Sequence, residues 1–252
     1  MKIDRPAPDL VPQLKLLWQL AFAEEDSFLK LFFDKGFAPE RCRCVVSEGR
    51  VLAGLYWFDC EFRGEPYAYI YGVATHPAAQ GQGLCRALMA DTHRHLAALG
   101  YSGVLLVPQG ESLRAMYAGF GYREATAVGE FFCAAVPEPQ PMHPIDREEY
   151  ERLRREYLPE GGVIQEGVSL VFLEGYAKFY KGLSFLLCAV PDGDALMGVE
   201  LLGDPEVAPK VLCSLGFREG TFRCPGDKKP FAMFLPLRQG APVPAYFGLA
   251  FD

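Results

Sequence analysis

Four residues carry the most informative chemistry of this chain, Gln80-Gly81-Gln82-Gly83. They follow an apolar, aromatic strand over 67–75 and run straight into an amphipathic helical pattern that starts at Leu84. A Gly-rich knot in that position leaves backbone N–H groups free at a helix N-terminus, where the helix dipole adds partial positive charge. Such a terminus is a cradle for a pyrophosphate. Glycine suits Gly81 and Gly83 because a side chain there holds the phosphate off the backbone. The order strand, Gly-rich turn, helix also serves dinucleotide and nucleoside-triphosphate sites. Here no G-x-G-x-x-G follows a strand and no G-K-[S/T] closes the knot.

A second segment, 103–124, pairs a buried strand over 104–107 with a short helix over 111–118. Gly119 and Gly121 end that helix in the usual C-terminal manner. Tyr117 lies on it, five residues before Tyr122. A tyrosine on a short helix ordinarily packs its ring and leaves its hydroxyl at the surface.

The two segments together resemble the GNAT superfamily, the acetyl-CoA-dependent N-acyltransferases. Gln80, Gly83 and Cys85 fit that family's Q/R-x-x-G-x-G/A motif, with Cys85 departing from the usual Gly or Ala while staying small. The run Tyr117 to Tyr122 is similar to the family's Y-x-x-x-G-F signature. The resemblance covers about 1–136, and its specific motifs are confined to 72–124. It implies an α/β (α+β) GNAT fold, a central mixed, twisted sheet flanked by helices. It implies acetyl-CoA as co-substrate, no metal, and an amine acceptor that attacks the thioester directly. The cofactor-binding residues it implies are Val73, Ala74, Thr75, Gln80, Gly81, Gln82, Gly83, Leu84, Cys85, Arg86 and Ser112. Tyr117 is the position that matches the tyrosine protonating the leaving thiolate. The family often places a Glu base on the strand before the knot. This strand instead carries Tyr67, Tyr69 and Tyr71 on one face, so Glu65, Asp59 and Glu111 are the carboxylates considered in reach.

The elements that must position these groups are legible in part. Asp9 is expected to cap a first helix with Leu10, Leu14, Leu17 and Ala21 on one face. A second helix is expected over 27–33. Strands over 41–47 and 51–62 flank a Glu48-Gly49-Arg50 turn. The helix after the knot spans 84–99, and His93 and His95 on it are read as surface residues. A strand over 130–136 is expected to close the unit. Four prolines within 137–144 mark a connector, which gives domains at 1–138 and 139–252.

The second half shows a weak repeat. Displaced by 95 residues, 103–124 lies over 198–219 with seven of 22 positions identical. Leu212 then stands where Tyr117 stands, and no Gly-rich knot precedes it. The expectation is a smaller, degenerate and partial GNAT-like domain that binds no CoA of its own. Helices are expected over 146–157 and 169–180, with a hairpin-like pair over 183–190 and 195–202.

The net charge of −7 argues against nucleic acid or an anionic membrane as partner. No run of 18 or more apolar residues suggests a membrane span, and the first residues show no apolar signal core, so a cytoplasmic location is expected. The eight cysteines form no metal-like spacing and are expected to be reduced, with Cys42 and Cys44 packed on a strand. Three functions stay open on sequence grounds. They are an N-acetyltransferase for a small amine or peptide amine, a transferase of another acyl or aminoacyl group, and a non-catalytic acyl-CoA-binding protein. An oligomer is compatible with all three.

Overall fold

The computed structural model describes residues 1–251. The first half opens with β1 (Lys2–Asp4), then α1 (Val11–Phe22) and α2 (Asp26–Leu31). Asp9 does not cap α1. It lies in a 3-10 turn over Pro8–Leu10 that feeds the helix, whose N-cap is Leu10 without a side-chain bond. The next strands are β2 (Cys42–Ser47) and β3 (Arg50–Phe62). Glu48 and Gly49 between them take φ of 51° and 75°, the left-handed pair that a two-residue hairpin requires. Then come β4 (Glu65–Thr75), α3 (Leu84–Ala98), β5 (Gly103–Leu106), α4 (Glu111–Ala118) and the short β6 (Arg123–Glu124).

The second half contains β7 (Ala127–Ala134), β8 (Met142–Ile145), α5 (Arg147–Tyr157), α6 (Val168–Leu173), β9 (Lys178–Gly182), β10 (Phe185–Asp192), β11 (Ala195–Gly203), α7 (Ala208–Leu215), β12 (Glu219–Pro225), β13 (Lys229–Pro230) and β14 (Met233–Pro236). The second expected helix there is shorter than its sequence pattern, because 178–182 pairs with β10 as a strand. Among the described residues no helix is long and apolar enough to cross a membrane.

The strands form two seven-stranded sheets. One has the order β1-β2-β3-β4-β5-β14-β6 and the other the order β8-β9-β10-β11-β12-β7-β13. Each contains a parallel pair, β4 with β5 and β11 with β12. The same architecture thus occurs twice, and the strand that completes each sheet is displaced along the chain: β7, which follows the first unit directly, joins the second sheet, and β14, from the end of the second half, joins the first. Strand β7, expected to close the first unit, pairs antiparallel with β12. Strand β14 takes the corresponding place beside β5. One compact unit of the described residues is accordingly 1–123 with 233–242, and the other is 124–232 with 243–251. This division differs from the one expected at the proline connector, since that connector follows β7, a strand already committed to the second sheet.

The repeat is real, but its register is not the displacement by 95. That displacement lays β5 on β11. Topology pairs β11 with β4, because each is the first strand of the parallel pair, and pairs α7 with α3, because each crosses from the first strand to the second. Leu212 on α7 is therefore no counterpart of Tyr117. The second unit has the whole first half of the fold, from β8 to β12, and lacks only α4. Its chain passes from β12 through 226–228 directly to β13. The misleading similarity arises because strand, turn, helix and Gly-aromatic end recur in both segments.

In the first unit, alternation along β3 and β4 builds two apolar layers. Leu55, Trp57, Ala68 and Ile70 pack against Leu84, Leu88, Met89 and Leu96 of α3. The opposite face carries Tyr56, Phe58, Tyr69 and Tyr71 in an aromatic cluster with Trp18 and Phe32 from the first helices.

Candidate functional site

The site forms where β4 loses its neighbour. β4 and β5 pair only from Tyr67–Gly103 to Tyr69–Leu105. Beyond that point β4 continues with a bulge: Tyr56 faces Tyr71 but Gly54 faces Ala74. Gly72 makes the bulge possible with φ of 60°, and a Cβ there would sit 2.7 Å from the Trp18 ring. After Thr75 the chain turns through Pro77–Ala79, where His76 Nδ1 accepts the Ala78 N–H at 3.2 Å. Gln80 then reaches back to the Thr75 carbonyl at 3.4 Å.

Gly81 and Gly83 take φ of 74° and 75°, and an added Cβ at either would meet no atom within 4 Å. Backbone conformation, not crowding by the protein, therefore demands glycine at both. Gly83 is the N-cap of α3 with no side-chain cap bond, and the first turn has no acidic residue. The first-turn N–H groups, with the positive end of a 15-residue helix behind them, face an open cleft.

That cleft, about 410 Å³, is lined by Val73, Thr75, Gln80, Gly81, Gly83, Leu84, Cys85, Arg86 and Tyr117, together with Ala79, Leu113, Met116 and Phe120. Nine of the twelve residues expected at the site thus share one cavity. Ala74 is buried in the sheet and Ser112 is exposed, and neither lines the cleft. Gln82 turns its amide back to the Ala78 carbonyl at 3.4 Å. Arg86 bridges the cleft's two helices, donating to the Gly119 carbonyl at 3.0 Å with its guanidinium 4.6 Å from the Phe120 ring centre. Leu113, Met116 and Phe120 escaped the sequence reading. Leu113 and Phe120 are the i−4 and i+3 neighbours of Tyr117, a helical spacing legible in the sequence, while Met116 directly precedes it.

Tyr117 is 6% exposed and packs edge-on against Phe120 and Tyr122. Burial pushes its phenol well above the ordinary tyrosine value, with the neighbouring Cys85 adding to the shift. It is a neutral O–H donor at any physiological pH. Burial also raises the Cys85 thiol, which Arg86 partly offsets.

The three carboxylates considered as bases lie elsewhere. Glu65 starts β4, at the end opposite the knot, and is held by Arg238 and Ser102. Asp59 faces Ala68 and accepts from the Tyr101 hydroxyl at 2.5 Å. Glu111 is exposed at the first position of α4. His93 and His95, expected at the surface, are half-buried. His93 bonds the Tyr122 hydroxyl at 2.8 Å, and His95 packs edge-on against Trp57.

Comparison with known proteins agrees with this architecture. Residues 2–125 match a family model described as an acetyltransferase (GNAT) domain. A GCN5-related N-acetyltransferase from Anabaena variabilis superposes with a TM-score of 0.75 at 15% identity, covering 94% of this chain and 73% of that one. A putative acetyltransferase from Pyrococcus horikoshii gives 0.63 at 15% identity, covering 98% and 93%. A tandem GNAT protein from the clavulanic acid biosynthesis pathway gives 0.60 at 14% identity, covering 95% and 99%. No curated protein matches the chain by sequence. Residues 2–125 thus form a GNAT domain, and the chain as a whole has the fold of a tandem arrangement of two GNAT-like units.

Proposed function

We propose that the first unit transfers the acetyl group of acetyl-CoA to a primary amine of a small molecule or peptide. One observation carries the reading. The uncapped N-terminus of α3, the bulged free edge of β4 and the Tyr117 phenol line the same cleft. The pyrophosphate would rest on the N–H groups of residues 81–86, where both the dipole and Arg86 favour negative charge. The pantetheine arm would run along β4 and use backbone groups at Val73 and Thr75. An N–H there would polarise the thioester carbonyl.

The amine lone pair would attack that carbonyl carbon, forming the C–N bond as the C–S bond breaks. Tyr117 would give its proton to the departing thiolate, and the surplus proton on nitrogen would pass to water. The residues lining the cleft include no carboxylate. The amine would therefore have to arrive neutral or lose its proton to solvent.

Thermal shift with a series of acyl-CoA thioesters tests the cofactor, and thiol release with an amine library tests the reaction. Stabilisation by acetyl-CoA with no thiol release from any amine would reduce the protein to a binder. Preference for a longer acyl group would change the donor.

A further inference from the structure

The second unit carries an open groove at the place that the first unit fills with its own helix α4. In the first unit α4 lies over the β5–β14 pair. Met116, Tyr117 and Phe120 join the same apolar cluster as Val104, Leu106, Met233 and Leu235. The strand partners under the helix are Val104 with Leu235 and Leu106 with Met233. At the corresponding place in the second unit the partners are Phe222 with Phe131 and Cys224 with Gly129. The outer pair has shrunk from leucine and methionine to cysteine and glycine, and the helix is missing.

What stands in its place is a cleft of about 470 Å³. Phe131 and Cys133 of β7 and Cys224 of β12 contribute its apolar floor, and Pro209 of α7 forms one side. Glu206 and Asp227, both exposed, stand at its rim. Glu130, a third carboxylate of the lining, is paired with Lys229 at 2.6 Å. Lys228 is the basic residue of the lining. Unlike α3, the start of α7 offers no anion seat. Its first turn contains Pro209, which lacks an N–H, and the turn before it carries Glu206.

We propose that this groove docks a two-turn amphipathic helix of a partner protein, one that presents large apolar side chains inward and Lys or Arg along its edges. The shape follows from the first unit, where an eight-residue helix occupies the equivalent floor. The sign of the helix charge follows from the carboxylates at the rim, which reward basic flanks. The proposal is independent of the catalytic reading.

The test uses the full chain. The probe is a stapled, fluorescein-labelled peptide with the sequence of residues 110–121, in which Glu111 and Ser112 are replaced by lysine. Anisotropy should show saturable binding. The Glu206→Lys/Asp227→Lys double variant should weaken it about tenfold, since each change sets like charge against the peptide. Both residues are exposed, so far-UV circular dichroism should be unchanged in that variant. Bound peptide should also slow alkylation of Cys133 by iodoacetamide, followed by peptide mass. Absence of saturable binding overturns the proposal, and so does binding that ignores the double variant and leaves Cys133 unprotected. Protection of Cys133 by spermidine but not by the peptide would assign the groove to a small organic cation instead.

Discussion

The Tyr122 hydroxyl lies 2.8 Å from Nε2 of His93, so the turn after α4 is bonded to the middle of α3. Burial pulls the His93 pKa down to about 4 from an ordinary 6.5, so the folded protein keeps this imidazole neutral. The unfolded chain protonates it near the ordinary value. Between those two values the unfolded state binds more protons, and stability falls as pH falls through the window. The loss is complete near the folded value and amounts to about 3 kcal/mol at most. His93→Gln keeps a hydrogen-bonding group beside Tyr122 but does not titrate. Urea unfolding at pH 7 and pH 5 should show a smaller loss in this variant than in the parent. Equal losses would mean that His93 is not the group responsible.

Gly83→Asp should abolish stabilisation by acetyl-CoA. At a hundredfold excess over Kd the parent should gain about 2.7 kcal/mol on binding. The aspartate would set a negative charge beside the pyrophosphate seat. Gly83→Asn is the control, because asparagine also tolerates φ near 75° and carries no charge. A thermal shift that survives in the aspartate variant would place the cofactor elsewhere.

Tyr117→Phe should lower kcat by about 10²–10⁴-fold while leaving acetyl-CoA affinity nearly unchanged. The ring keeps its contacts with Phe120 and Tyr122 and only the proton donor is lost. Steady-state kinetics combined with cofactor titration separates the two effects. Full activity in the variant would make Tyr117 a packing residue.

The sequence made most of this site legible because its signals are local. Gln80 to Arg86 stand out through turn chemistry, Tyr117 only through the likeness of its segment to the Y-x-x-x-G-F signature, and every helix and strand from Cys42 to Ala118 lies close to its expected bounds. What escaped was non-local. Nothing in the residues of β7 says that it will join β12 and not β5, since an alternating strand fits either sheet. The repeat register failed for a related reason. A short identity between 103–124 and 198–219 reports similar turns, and only strand pairing reveals which elements are equivalent. Asp59 and Glu65 were misplaced because nearness in sequence to β4 was read as nearness to its far end.

Glu200 and Arg154 form a buried ion pair in the second unit, at 2.6 Å and with side chains 0% and 3% exposed. The Tyr150 and Tyr246 hydroxyls each donate to the same carboxylate at 3.1 Å. Arg154→Met would strand the Glu200 charge in the core and should cost about 3–5 kcal/mol. Arg154→Met/Glu200→Leu should recover much of that. Chemical denaturation of the single and double variants measures the difference. A single variant as stable as the parent would mean that water or rearrangement relieves the carboxylate.

The exchanged strands make a specific demand on truncation. A 1–138 fragment keeps every residue of the cofactor cleft but loses β14, whose Met233, Phe234 and Leu235 pair with Leu106, Leu105 and Val104. It also loses the Pro242 carbonyl, which accepts the Tyr67 hydroxyl at 2.6 Å. Buried backbone and apolar side chains of β5 would become an open sheet edge, and β7 would hang from the fragment without its partner β12. The fragment should aggregate or melt well below the full chain. A second form, with 1–124 joined to 231–242 through a flexible linker of about ten residues, restores β14 without β7. It should be soluble and should regain the thermal shift with acetyl-CoA. Size-exclusion chromatography and calorimetry on both forms check this. A soluble 1–138 fragment that binds acetyl-CoA as well as the full chain would show that β14 is dispensable and that the exchange does not hold the first unit together.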